Sequence, residues 1–121
     1  MMEQIKMLEK EWYPADIKKE HCEQDAVLRL IPYGRDNAID RLSLCRETGL
    51  HDRQVRQAIE NLRRYVPIIN SGEGKGYFRP KITDKADMDA LRRWIAVNEA
   101  RAKSVFMSLR TAKETLKEGD E

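Results

Sequence analysis

Apolar positions along the chain follow two regimes. Up to about residue 82 they fall in short clusters separated by glycine, proline and turn residues. From Asp84 onward a single seam takes over: Met88, Leu91, Ile95, Asn98, Ala102, Val105, Leu109, Ala112 and Leu116, at alternating steps of three and four. Such a run predicts one long helix with a narrow apolar stripe, over about residues 84–118. Trp94 and Phe106 widen the stripe. A rod of that length would be roughly 50 Å long, more than a small preceding domain can cover.

The earlier clusters predict shorter elements. Ile5, Leu8 and Trp12 lie on one stripe of a short N-terminal helix that Pro14 interrupts. Residues 15–23 are polar and read as either a linker or a helical lead-in. From Gln24 to Ile31, Ala26, Val27, Leu30 and Ile31 form an apolar helix face, ended by Pro32 and Gly34. Ala38 and Ile39 can pair as a short strand. Asp40 is a natural cap for a helix from Arg41 to Thr48, expected to bury Leu42 and Cys45 and to cover Leu44 in part. Gly49 stops that helix in the left-handed conformation, and Leu50 plugs the turn.

A second helix is predicted from about Asp52 to Tyr65, capped by His51 or Asp52. Val55, Ala58, Ile59 and Leu62 make its inner stripe. Its outer face carries Arg53, Gln54, Arg56 and Gln57, then Asn61 and Arg64. Arginine can bridge the O6 and N7 acceptors of guanine, and glutamine or asparagine the N6 and N7 of adenine. A helix face rich in these types suits major-groove contact, although arginine and glutamine are also simply good, soluble helix formers. Next, VPIIN and GYFRP flank SGEGKG, a hairpin whose glycine-rich tip no core requires. Lys75 is the tip residue best placed to meet phosphate or the minor groove. The tip is not a nucleotide loop, because Gly76 rather than Ser or Thr follows the lysine and a strand comes next.

Charge sharpens this picture. Residues 1–23 hold 4 bases and 6 acids, residues 24–82 hold 11 and 7, and residues 83–121 hold 8 of each. The positive excess therefore sits on the two-helix and hairpin region, where a polyanion would need it. No apolar run is long enough to span a membrane, and the acidic N-terminus lacks a secretion core, so a cytoplasmic protein is expected. Cys22 and Cys45, with His21 and His51, lack the spacing of a zinc site. Cys45 is expected to be a buried, unreactive packing residue. No metal or cofactor is expected, and neither Glu60 with Glu73 nor Cys45 with His51 makes a convincing catalytic pair.

RLSLCRETGLHDRQVRQAIENLRR followed by VPIINSGEGKGYFRP resembles the N-terminal DNA-binding domain of the biotin operon repressor. The broader winged helix-turn-helix group, and small phage and prophage proteins with this domain ahead of a long helix, are similar too. The resemblance is strongest over residues 24–80. It implies a mostly α fold with a small β-hairpin wing, a winged helix-turn-helix followed by a long C-terminal helix. It also implies duplex DNA binding through Arg53, Gln54, Arg56, Gln57, Arg64 and the wing at Lys75. The repressor's ligase domain is absent, so no biotin function carries over. Arg79 stands where such families have an apolar residue, and is expected to weaken the core beneath the wing.

The expected organisation is an N-terminal arm at 1–23, the winged helix-turn-helix at 24–82 and the long helix at 83–121. The expected function is sequence-specific DNA binding in transcriptional regulation of the phage or prophage type. The alternatives are a protein-interaction module built on the same fold, or a phage replication accessory protein. The seam is expected to make a homodimer through Met88, Leu91, Ile95, Asn98, Ala102, Val105, Leu109 and Leu116, with Asn98 selecting the register in which two such residues meet. The competing arrangement folds Ile5, Leu8 and Trp12 back over the same face. A two-fold dimer would call for an inverted-repeat site.

Overall fold

A computed structural model of the chain describes residues 15–71 and 76–120, with side chains from His21 onward. The expected N-terminal helix at 1–12 lies outside the described residues, as does Lys75. The described chain is mostly helical, with one two-stranded antiparallel hairpin and a long C-terminal helix.

The first helix, α1, spans Ala15–Leu30. The polar stretch before Gln24 is thus helical lead-in rather than linker. Val27, Leu28 and Ile31 are buried, while Leu30 packs against the core from its margin. A 3-10 turn at Arg35–Asn37 leads to Ile39.

Helix α2 spans Arg41–Thr48, the predicted bounds. The Asp40 carboxylate accepts the Ser43 N–H at 2.7 Å, satisfying one of the free donors at the helix start. Gly49 ends the helix at φ 73°, and its N–H returns to the Cys45 carbonyl at 2.9 Å. The buried face differs from expectation. Leu44 is fully buried, Leu42 is 62% exposed and Cys45 is only half-buried, packed at the margin of the core. Leu42, Leu44 and Cys45 are too close in sequence to share one stripe of so short a helix. The contacts with α1 and α3 select Leu44.

Helix α3 spans Asp52–Leu62 and buries Val55, Ala58, Ile59 and Leu62, the expected stripe. It stops three residues earlier than predicted. Arg63 turns away to donate from Nε to the Ile68 carbonyl at 2.8 Å, and residues 63–65 form a turn.

Strands β1 (Ile69–Asn70) and β2 (Tyr77–Phe78) pair antiparallel, Ile69 with Phe78 and Asn70 with Tyr77. Ile39 adds a third segment on the other side of β2, exchanging both backbone hydrogen bonds with Tyr77 at 2.7 and 3.0 Å. Gly76 sits at φ 111°, and a Cβ there would run into the Ile39 carbonyl, so only glycine fits.

Arg79 does not weaken this region as its charge suggested. Its guanidinium donates to the Leu28 carbonyl and to the Tyr33 hydroxyl, both at 3.0 Å, and lies 5.0 Å over the Tyr33 ring. It ties the hairpin to the end of α1, with its Nε left unpaired.

Helix α4 spans Lys85–Asp120, 36 residues or about 54 Å. Asp84 caps it by accepting the Ala86 N–H at 2.9 Å. Within that first turn, the buried Asp87 carboxylate accepts the Lys81 N–H at 2.9 Å and the Arg35 N–H at 3.3 Å. The first three turns rest on the rest of the fold through Met88, Leu91 and Trp94, all half-buried. Arg63 lies 5.4 Å over the Trp94 ring, and burial pushes its guanidinium down from the ordinary value. From Glu99 to Asp120 every residue is exposed.

Candidate nucleic-acid interface

Helix α3 owes its orientation to the apolar stripe at 55, 58, 59 and 62, which shares one core with Val27, Leu44, Ile68 and Tyr77. With that face buried, two rows of outward side chains remain, each stepping by four. One row is Asp52, Arg56 and Glu60. The other is Arg53, Gln57 and Asn61, and it contains no acid. Arg64, exposed in the following turn, extends it.

The six expected contact residues separate on this geometry. Arg53 and Gln57 are exposed. The Gln57 amide donates to Asn61 Oδ1 at 3.2 Å, which sets two amide side chains side by side on the surface. Arg56 is exposed but pairs with Asp52 at 3.1 Å. Such an i, i+4 pair at the surface contributes little and is readily exchanged. Gln54 is different. Its Oε1 accepts the His51 N–H at 2.8 Å and its amide nitrogen donates to Glu23 at 3.2 Å, so both ends serve the helix start. It is a capping residue that also joins α3 to α1, and a base would have to break both bonds to reach it.

Gln57, Asn61 and Arg64 also line a polar depression with His21, Gln24 and Tyr65, where the end of α3 meets α1. No family model matches the chain, and neither a curated protein nor a solved structure matches it. The interface therefore rests on its own geometry. Among the described residues no group of histidine, cysteine or carboxylate side chains could hold a metal ion, and no helix is long and apolar enough to cross a membrane.

Sequence spacing missed one cation. Arg41, at the first turn of α2, is exposed and hydrogen-bonded to Asp52 at the start of α3. Its guanidinium is raised above the ordinary value by Tyr77 first and Asp52 second. Asp52 is thereby flanked by Arg41 and Arg56, which neutralise the single acid at the N-terminus of α3. Eleven residues separate Arg41 from Asp52, and no local periodicity links positions that far apart. The one available signal was the adjacent Asp40 cap, which puts Arg41 in the first turn of α2.

Proposed function

We propose that this chain is a winged helix-turn-helix protein that binds duplex DNA with sequence preference, as a transcriptional regulator of the phage or prophage type. The observation that carries this reading is the acid-free row of Arg53, Gln57 and Asn61, continued by Arg64, on a helix whose opposite face is buried. Three further features support it. Helices α1, α2 and α3 precede the hairpin in the order such a fold requires, and Ile39 pairs on β2 as its first strand would. The tight turn at Gly49 sets α2 before α3. The cations Arg41 and Arg56 offset Asp52 where α3 would enter a groove.

In this reading Arg53 and Gln57 contact base edges, while Arg64, Arg41 and the wing lysine Lys75 hold phosphates. The test is titration of the full chain against a random pool of duplexes at two salt concentrations. With about three phosphates contacted, affinity should fall roughly fortyfold between about 50 and about 200 mM salt. Selection from the same pool should converge on a preferred sequence. Absence of binding at the lower salt, or binding indifferent to salt, would overturn the reading.

A further inference from the structure

We propose that the exposed half of α4 is covered by α4 of a second copy running antiparallel, with Phe106 of the two chains meeting at the centre. From Glu99 to Asp120 the helix has no neighbour among the described residues, and Val105, Phe106, Leu109 and Leu116 stand open along one side. Phe106 alone is 72% exposed. An apolar stripe of this length on an isolated surface helix marks an interaction site.

The flanks of the seam choose the direction. Arg92, Glu99, Phe106, Lys113 and Asp120 recur every seven residues along one flank. Asp87, Trp94, Arg101, Ser108 and Thr115 recur along the other. In a parallel pair each flank meets the opposite flank of its neighbour five residues on. Trp94 would then face Glu99, Arg101 would face Phe106, Ser108 Lys113 and Thr115 Asp120, and beyond the first turn no opposite charges would meet. Asp87, in that first turn, is already buried on backbone donors.

In an antiparallel pair each flank meets itself in reverse. Phe106 then faces Phe106, Glu99 faces Lys113 of the second copy, and Arg92 faces its Asp120. Every charged pair on that flank is complementary. Glu99 and Lys113 have no ion-pair partner within the described chain, so both are available. Arg92 already holds Asp89 at 2.8 Å and contributes less.

The seam agrees with this arrangement. Centred near Phe106, it sets Val105 against Leu109, Ala102 against Ala112 and Asn98 against Leu116. The small alanine layers let the two backbones approach closely. Asn98 does not require a second asparagine, because its amide already donates to the Trp94 carbonyl at 2.9 Å. The overlap also ends beside Ile95, where the first turns of α4 pass onto their own domain. One antiparallel copy therefore covers the exposed stretch and no more.

The test uses the full chain and two charge reversals, Glu99→Lys and Lys113→Glu, with sedimentation equilibrium as the readout. The unchanged protein is expected to be a dimer at tens of micromolar. Each variant alone sets two like-charge pairs against each other and should associate roughly tenfold more weakly. An equimolar mixture should regain the parent affinity, because every reversed charge then meets its complement. In a parallel dimer positions 99 and 113 lie about 21 Å apart along the rod. Variants that associate like the parent, with no recovery on mixing, would overturn the antiparallel arrangement. A parent that stays monomeric at these concentrations would remove the second copy and leave residues 1–14 of the same chain as the cover.

Discussion

The domain at residues 15–83 and the distal half of α4 both carry apolar residues at helical spacing, yet they meet opposite fates. In the domain, Val27, Leu44, Val55, Ile59, Ile68 and Phe78 are buried to 2% exposure or less. In the distal helix, Val105, Leu109 and Leu116 are spaced just as well and remain open. The difference is in neighbours. Three helices and a hairpin surround the first set, and nothing in the described chain reaches the second. Apolar periodicity reports that a face needs covering, and topology alone decides whether the same chain can supply the cover.

The largest effect should come from the packed side. Leu44→Ala should cost about 2–5 kcal/mol in urea unfolding, since it empties the centre of the core. Leu109→Ala, a change of the same chemistry on the open side, should shift the unfolding of dilute protein by no more than about 0.5 kcal/mol. Equal losses in the two variants would erase the contrast. At high concentration the second variant should instead weaken self-association.

Asp87 joins the two regions, and its replacement tests the joint. Asp87→Asn keeps one acceptor but turns an amide N–H₂ toward a backbone donor. It should cost about 1–3 kcal/mol, the desolvation of a buried group left unpaired. If the domain and the first turns of α4 are one cooperative unit, fluorescence from Trp94, read in a Trp12→Phe background, and far-ultraviolet circular dichroism should move together in this variant. Transitions that separate would show a looser joint.

On the domain's outer surface, Gln57→Ala should remove about 1–3 kcal/mol of discrimination at one base position, measured by competition among single-base variants of the selected site. Its self-association should not change, which would separate the proposed recognition by the domain from the proposed assembly through the rod. Arg56→Ala, from the row that holds acids, should alter affinity without altering the preferred base.

The smallest effect concerns acid. The backbone N–H and then the hydroxyl of Ser43 hold the Asp40 carboxyl below its usual range. Because the folded pKa is the lower one, the cap contributes fully above the unfolded value, and its contribution is lost as pH falls toward the folded value. Asp40→Asn still caps but does not titrate. Below about pH 4 its stability should fall less steeply than the parent's, and parallel acid slopes would remove the assignment.

Much of this was legible in the sequence wherever one residue determines one local feature. Asp40 and Gly49 bracket α2 without outside help, and four residues at 55, 58, 59 and 62 define one side of α3. The misses share a cause, which is contact between distant segments. Leu44 rather than Leu42 enters the core because α1 and α3 lie on that side. Arg79 looks misplaced in an apolar run until the Leu28 carbonyl, 51 residues earlier, is set beside it. Spacing likewise could not show that Glu23 and the His51 N–H engage both ends of the Gln54 amide. At the interface, residue types indicated a polar helix face, and the tertiary fold determined which members of that face are free.

The base of the hairpin has one further consequence. Ser71 donates to the Gly76 carbonyl at 2.7 Å, and Gly76 alone can pass the Ile39 carbonyl. These two residues therefore fix the base of the hairpin, one through a backbone hydrogen bond and the other through its lack of a Cβ. A new side chain at position 71 leaves that bond in place, because the backbone N–H makes it, whereas any side chain at position 76 would push Ile39 off β2 and unseat the third segment of the sheet.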